Sequence, residues 1–364
     1  MGRDILDLYS DYLLYGKGQT TATGLSEILE DDISHDKITR FLTEELFDER
    51  TLWKKVKKIV RAYEGEGACL IFDDTIVEKP YMDENDIICW HFDHKENRAV
   101  KGINLLSAFY HSEKEGQTVR LPTGYRVIAK TEEYTDEKSG EKKRRSPVTK
   151  NEMMQEMIKR HIQNEVKFTY ILADSWYSSA ENMRLINKKG KVFIFEMKEN
   201  RLAADSEKKR NLGEFERLDT LELPEGKPVK VWIKDLEYPV KVFKQVFTNK
   251  DGTSGQRFLV TNKLTLTDEQ FRTLYKKRWG VEEYHKSLKQ NASIGSSPAH
   301  TERTQSNHIF AAIFAYVKLE MLKLATKLNH FAMKTKIYMA SIMTAKVTFQ
   351  ELWKNTQNLV FCVT

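Results

Sequence analysis

Three acidic positions and one row of cations and aromatics carry the chemistry this sequence can do. Asp73-Asp74-Thr75 follows the apolar run LIF, and Asp174 follows TYILA. Each run therefore ends in a carboxylate expected at the end of a strand, on a rigid sheet edge where ligand sites cluster. The third acid lies in LYKKRWGVEEYHKSLKQN, where Tyr275, Arg278, Glu282 and Lys289 are separated by three, four and seven residues. Such steps keep all four on one helical face, whereas Glu283 is rotated about 100° away, so Glu282 is the expected functional acid. Singly, each acid reads equally well as a solvated strand end or an exposed charged helix; the joint pattern does not.

Three carboxylates converging on one point cannot all stay ionised without compensation. Hard divalent cations that prefer oxygen, Mg2+ or Mn2+, supply it, and two ions are expected. With ions about 3.5 to 4 Å apart, one activates water or a DNA 3′-hydroxyl while the other stabilises the leaving oxygen of an in-line displacement.

The surrounding elements must position these groups. Residues 1–65 read as helical, from Ile5, Leu6, Tyr9 and Leu13 and then Leu25, Ile28 and Leu29. Within that stretch Ser34 is a candidate N-cap for a helix that would offer His35, Lys37, Thr39 and Arg40 to base edges, as in a helix-turn-helix; a plain helical hairpin fits as well. From residue 68 short apolar runs rich in β-branched and aromatic residues predict successive strands (ACLIFDDTIV, DIICWHF, KGINLLSAFYH and the stretch around Tyr125). A helix over 149–165, the strand FTYILAD, a helix from Ala180 and the strand KVFIFEMK follow. Residues 200–262 read as a β-rich insertion, with a turn at Asp251-Gly252, and helical periodicity returns from Thr267, a candidate cap.

These residues resemble bacterial insertion-sequence transposases of the DDE superfamily, in the branch with a Tyr-x2-Arg-x3-Glu-x6-Lys signature, here Tyr275, Arg278, Glu282 and Lys289. The resemblance covers about residues 66–330. It implies an α/β, ribonuclease H-like mixed sheet flanked by helices, with the β-rich insertion between the second and third acids; the helical pattern of residues 1–65, outside the resemblance, adds a candidate N-terminal helix-turn-helix DNA-binding domain. Residues 331–364 are a C-terminal segment of unknown role. By the same resemblance Asp74, directly before Thr75, is the first metal ligand, with Asp174 and Glu282 the others and Asp73 the alternative to Asp74. Tyr275, Arg278 and Lys289 are expected to grip phosphates of the transposon end, and Lys37 and Arg40 to contact DNA through the N-terminal domain. Trp232, the insertion's sole tryptophan, is a candidate to stabilise a flipped base, although a core role fits it too. The implied partners are the terminal inverted repeats and the target DNA, with a homodimer pairing two ends. The implied setting is the bacterial cytoplasm, at the nucleoid.

Composition agrees. Over 364 residues the net charge is +6, and basic residues cluster at 54–61, 142–145 and 208–210. Such patches favour a polyanion, although a solvated face explains any one of them. No apolar run approaches the roughly 20 residues that span a bilayer, and MGRDILDLYSDYLL is acidic where a signal peptide is basic, so neither a membrane protein nor an exported one is expected. Cys69, Cys89 and Cys362 are too widely spaced for a framework and suit a reducing compartment. Two other functions compete: a catalytically silent DNA-binding derivative, against which the intact acids argue, and a carboxylate-pair hydrolase, which leaves the basic helix face unexplained. A Cys/His metal site from Cys89, His91, His94 and His111 lacks a ligand spacing.

Overall fold

The run Cys69-Leu70-Ile71-Phe72 opens a strand and does not end one: β-branched Thr75, Ile76 and Val77 carry the extended chain to Glu78, so Asp73 and Asp74 lie mid-strand. The structure, a computed structural model, describes residues 4–360 apart from 17, 94–95, 138–139 and 249–251. His94, Asp251 and Cys362 lie outside the described residues.

In chain order the elements begin with helices α1 (Ile5–Tyr15), α2 (Ala22–Ile28), α3 (His35–Glu44) and α4 (Glu49–Tyr63). Strands β1 (Cys69–Glu78), β2 (Cys89–Asp93), β3 (Arg98–Lys114), β4 (Gln117–Val127), β5 (Glu132–Thr135) and β6 (Lys142–Arg145) follow. Next come α5 (Lys150–Gln163), β7 (Tyr170–Ala173), α6 (Ala180–Lys188) and β8 (Val192–Met197). The segment expected to be an insertion holds β9 (Leu202–Ala204), α7 (Glu207–Leu212), β10 (Glu216–Arg217), β11 (Pro228–Ile233), β12 (Val240–Thr248) and β13 (Ser254–Thr261). Four helices close the chain: α8 (Asp268–Lys276), α9 (Trp279–Gln290), α10 (Glu302–Thr326) and α11 (His330–Val360).

Contacts divide the chain into two units, one of residues Phe47–His285 and one of the remaining N- and C-terminal residues. This differs from the expected boundaries at 65 and 330. Helix α4 belongs to the sheet unit because its apolar stripe, Leu52, Val56 and Val60, is buried and the helix packs on β4. Burying each such side chain contributes about 1.5–3 kcal/mol.

The sheet unit is built on one large mixed sheet of order β10-β9-β11-β12-β13-β8-β7-β1-β3-β2, with β4 also on β3. At its centre β1, β3 and β4 are antiparallel while β7 and β8 run parallel to β1, the ribonuclease H-like arrangement expected. The strands of residues 202–261 extend this same sheet through β13 on β8. Paired residues share a face, so Ile71, Asp73, Ser107 and Phe109 point one way, and Phe72, Asp74, Leu106 and Ala108 the other. Helix α9 covers the first face, with Tyr284 stacked on Phe109 at 4.8 Å between centroids. Helix α5 covers the second, where His161 Nε2 meets Thr123 Oγ1 at 2.8 Å. Strands β5 and β6 pair antiparallel, Glu132 opposite Arg145 and Thr135 opposite Lys142.

The helical unit has its own core. Helix α10 is buried on nearly every side, and Asn307 within it donates to the carbonyls of Leu42 and Glu45 at 2.8 Å each, tying off the end of α3. Tyr9 of α1 meets His308 at 2.9 Å. Ser34 stands at the N-cap of α3 without a side-chain cap bond. Among the described residues no helix is long and apolar enough to cross a membrane.

Candidate active site

The parallel pairing of β7 with β1 brings Phe72 opposite Ala173, so Asp174, just past the end of β7, follows beside Asp73, which continues within β1. Asp174 ends β7 as expected and accepts the N–H of Trp176 at 2.9 Å, capping a single 3-10 turn, Ser175–Tyr177. Glu282 lies in the first turn of α9 and accepts from Arg278 Nη2 at 2.7 Å. Its neighbour Glu283 points away and pairs with Arg120 of β4, as its helical phase requires.

The continuous helix expected over 268–290 is broken. Helix α8 begins at the Thr267–Gln270 capping box and stops at Lys276, and the N–H groups of Lys277, Arg278, Gly280 and Val281 bond back only three residues. The tighter turn changes the phase, so Tyr275 is not stacked below Glu282 on one helix. Its hydroxyl, buried, donates to Glu196 of β8 at 2.9 Å, and burial raises its pKa.

The two adjacent aspartates have different surroundings. Asp74 accepts from Lys150 Nζ at 2.9 and 3.0 Å and from the Tyr177 hydroxyl at 2.6 Å. Burial acts to raise its pKa, but the Lys150 charge and these hydrogen bonds outweigh it and hold the carboxylate below its ordinary range. Asp73 faces α9, with Arg278 Nη1 at 4.0 Å and His285 Nδ1 at 3.8 Å from its Oδ2. Burial, and then the Asp174 charge, push Asp73 up to about 7 against the pull of Arg278. Burial also raises Asp174, and the Asp74 charge adds to it, against the Trp176 N–H.

Among the described residues no group of three His, Cys, Asp or Glu side chains is arranged, as it stands, to hold a metal ion. The Arg278 guanidinium, between Glu282 and Asp73, supplies positive charge there. The donor chemistry nevertheless fits a hard dication: the acids are all oxygen donors, and two of them are raised by burial and mutual repulsion that a dication relieves.

Beside these acids runs a groove of about 740 Å³ lined by Arg257, Arg272, Lys276 and Arg278 with Phe247, Tyr275 and Trp279. Trp279 is 60% exposed, so its indole is available to a ligand. Trp232 is not: on β11 it is 7% exposed, paired in register with Ala204 of β9, so the sole tryptophan of 200–262 is a core residue and is corrected as a base-stacking candidate. Arg257, Arg272 and Trp279 escaped sequence reasoning; the Trp following Arg278 was the available signal. In the helical unit Lys37 and Arg40 are exposed on α3, whose opposite face buries Ile38, Phe41 and Leu42, and Lys289 is exposed near the end of α9. Cys89 and His91 are buried on β2, and the basic side chains of β6 are largely engaged, Lys143 with Asp136, Arg144 with Asp86 and Arg145 with Glu132.

Comparison with protein families finds a match to a transposase DDE domain over residues 142–318 and to a DDE superfamily endonuclease over residues 1–210. No curated protein matches the chain.

Proposed function

Since this chain belongs to the DDE superfamily of transposases and endonucleases, we propose that it cleaves DNA at transposon ends and joins them to target DNA by in-line phosphoryl transfer. The observation that carries this reading is the coupled, buried pair Asp73 and Asp174, with Arg278 reaching from Glu282 toward Asp73, beside a groove lined by arginines and an exposed tryptophan.

Asp73, Asp174 and Glu282 would hold Mg2+ or Mn2+. When bound, the ions polarise the attacking water or 3′-hydroxyl and the leaving oxygen. Asp73 replaces Asp74 as first ligand in this proposal. What supports the change is the face it shares with α9, where Arg278 Nη1 stands 4.0 Å from its carboxylate, whereas Asp74 is held in hydrogen bonds by Lys150 and Tyr177 on the other side of the sheet. Asp74 then fixes the start of α5 against β1.

Arg278 is the residue with two tasks. Its guanidinium balances Glu282 and Asp73, and its place in the groove suits it to take a phosphate of the transposon end in a bidentate grip. Arg257, Arg272 and Lys276 continue that cationic wall, and Trp279 offers a stacking surface for an unpaired base. Lys289 and Tyr275 act on the same DNA in this reading, Tyr275 through its hold on Glu196. Lys37 and Arg40 of α3 read or track the terminal repeat, and two copies of the chain pair two ends.

The test is cleavage of a duplex carrying the inverted repeats that flank the gene, with Mn2+, comparing wild type with Asp174→Asn and Glu282→Gln. Undiminished cleavage by either variant would sink the proposal.

A further inference from the structure

Helix α9 carries Glu282-Glu283-Tyr284-His285, and the two outer residues are one helical turn apart. Both residues between them anchor the helix: Glu283 pairs with Arg120 of β4, and Tyr284 stacks on Phe109 of β3. With that side of α9 fixed to β3 and β4, the Glu282–His285 edge is turned to β1. The consequence is visible in the distances, since Asp73 Oδ2 has Arg278 Nη1 at 4.0 Å and His285 Nδ1 at 3.8 Å. The imidazole is 9% exposed as a side chain, so it is a built part of the site and not a surface histidine in passing.

A Glu and a His three residues apart on one helix are a recurrent way to present mixed oxygen and nitrogen donors to paired metal ions. Two donors on one ion, each about 2.1 Å from it, stand on the order of 3 Å apart, which is near the 3.8 Å between His285 Nδ1 and Asp73 Oδ2. We infer that His285 is an additional metal ligand, giving the site a nitrogen donor beside the carboxylates of Asp73, Asp174 and Glu282. The inference rests on the proposed metal-dependent reading and sharpens it: an imidazole favours a transition-metal ion, so the site discriminates in favour of Mn2+ over Mg2+.

The decisive measurement is pulsed electron paramagnetic resonance of Mn2+ bound to the full chain. The expected spectrum carries a 14N modulation from a directly bound imidazole. It changes to the 15N pattern when the protein is made with 15N-labelled histidine, and it is lost in His285→Gln but kept in His111→Gln. In parallel, calorimetric titration should show His285→Gln weakening Mn2+ about tenfold and Mg2+ less than threefold. Bound Mn2+ without a nitrogen modulation in the wild type, which needs no variant to fold, overturns the inference and leaves the carboxylate site standing. So does a modulation that survives His285→Gln, or an equal loss for both ions, which would mark His285 as a residue that only positions Asp73. Failure of the wild type to bind Mn2+ at millimolar concentration overturns the inference together with the metal reading beneath it.

Discussion

Buried acids in the two units, Glu320 in one and the pair Asp73 and Asp174 in the other, are handled in opposite ways. In the helical unit Glu320, 1% exposed, accepts from Lys323 Nζ at 2.5 Å and meets His330 Nε2 at 3.1 Å, while His330 Nδ1 meets Ser287 at 3.0 Å. Burial acts to raise Glu320, yet the His330 bond and the Lys323 charge bring it below its ordinary value. In the sheet unit Asp73 and Asp174 are raised, and the nearest cation to Asp73 is 4.0 Å away. A fold able to compensate one buried acid leaves the other pair strained. That contrast agrees with the proposed role of the pair as metal ligands, whose charge a bound dication would offset.

The largest expected effect breaks the contrast at its functional end. Glu282→Gln and Asp174→Asn should each lower DNA cleavage at least about a thousandfold, roughly 4 kcal/mol of barrier, with little change in Tm. At the structural end, Glu320→Ala should cost about 3 kcal/mol of unfolding free energy, because it strands His330 and Lys323, and should leave the cleavage rate of the folded fraction unchanged. Denaturant titration and a single-turnover assay on the same preparation separate the two.

A smaller effect differs in sign between neighbours. The folded pKa of Asp73 lies near 7, above the value of about 3.9 in an unfolded chain, so its charge opposes folding increasingly as pH rises through that interval. Asp73→Asn should therefore raise stability at pH 7.5, by about 2 kcal/mol, while abolishing cleavage. Asp74→Asn should lower stability by about 1–2 kcal/mol, since it weakens the bonds to Lys150 and Tyr177. Equal Tm shifts for the two variants would show that their surroundings do not differ as described.

The smallest effect, residue by residue, comes with acid. Burial lowers His91, His111 and His161 of the sheet unit to about 4 from an ordinary 6.5. Each favours the fold while neutral, and that contribution is lost as pH falls from about 6.5 to about 4, on the order of 1 kcal/mol apiece by pH 5.5. The three together exceed the opposing gain from protonating Asp73. Glu320 of the helical unit is depressed, so its contribution persists until pH falls below about 4.5. Hydrogen exchange at pH 7.5 and 5.5, corrected for the intrinsic rate, should show the sheet unit loosening first.

Much of this was legible in local pattern. Asp174 at the end of β7, the start of α6 at Ala180 and the Thr267 cap of α8 follow from apolar runs and capping residues a few positions apart. Helical phase separated Glu282 from Glu283, and the Arg120 pair agrees. What stayed hidden depends on distant partners. Whether Asp73 or Asp74 faces α9 is set by which helix covers which side of β1, and α5 and α9 lie far along the chain from it. The break after Lys276 is a matter of hydrogen bonds reaching back three residues and not four, which apolar spacing does not register. The burial of Trp232 and the joining of β13 to β8 likewise come from tertiary pairing.

The parallel pairing of β1 with β7 has a consequence in time. Asp73 and Asp174 are about a hundred residues apart in the chain, and only this crossover unites them. Hairpins such as β3–β4 close quickly, but a parallel pair must first accept the entropy of a long loop, so it is among the slow steps of folding. Glu282 enters later still along the chain. The carboxylates of the proposed site therefore come together only after the long loop between β1 and β7 has closed, and a chain stalled before that step has its hairpins but not its paired aspartates.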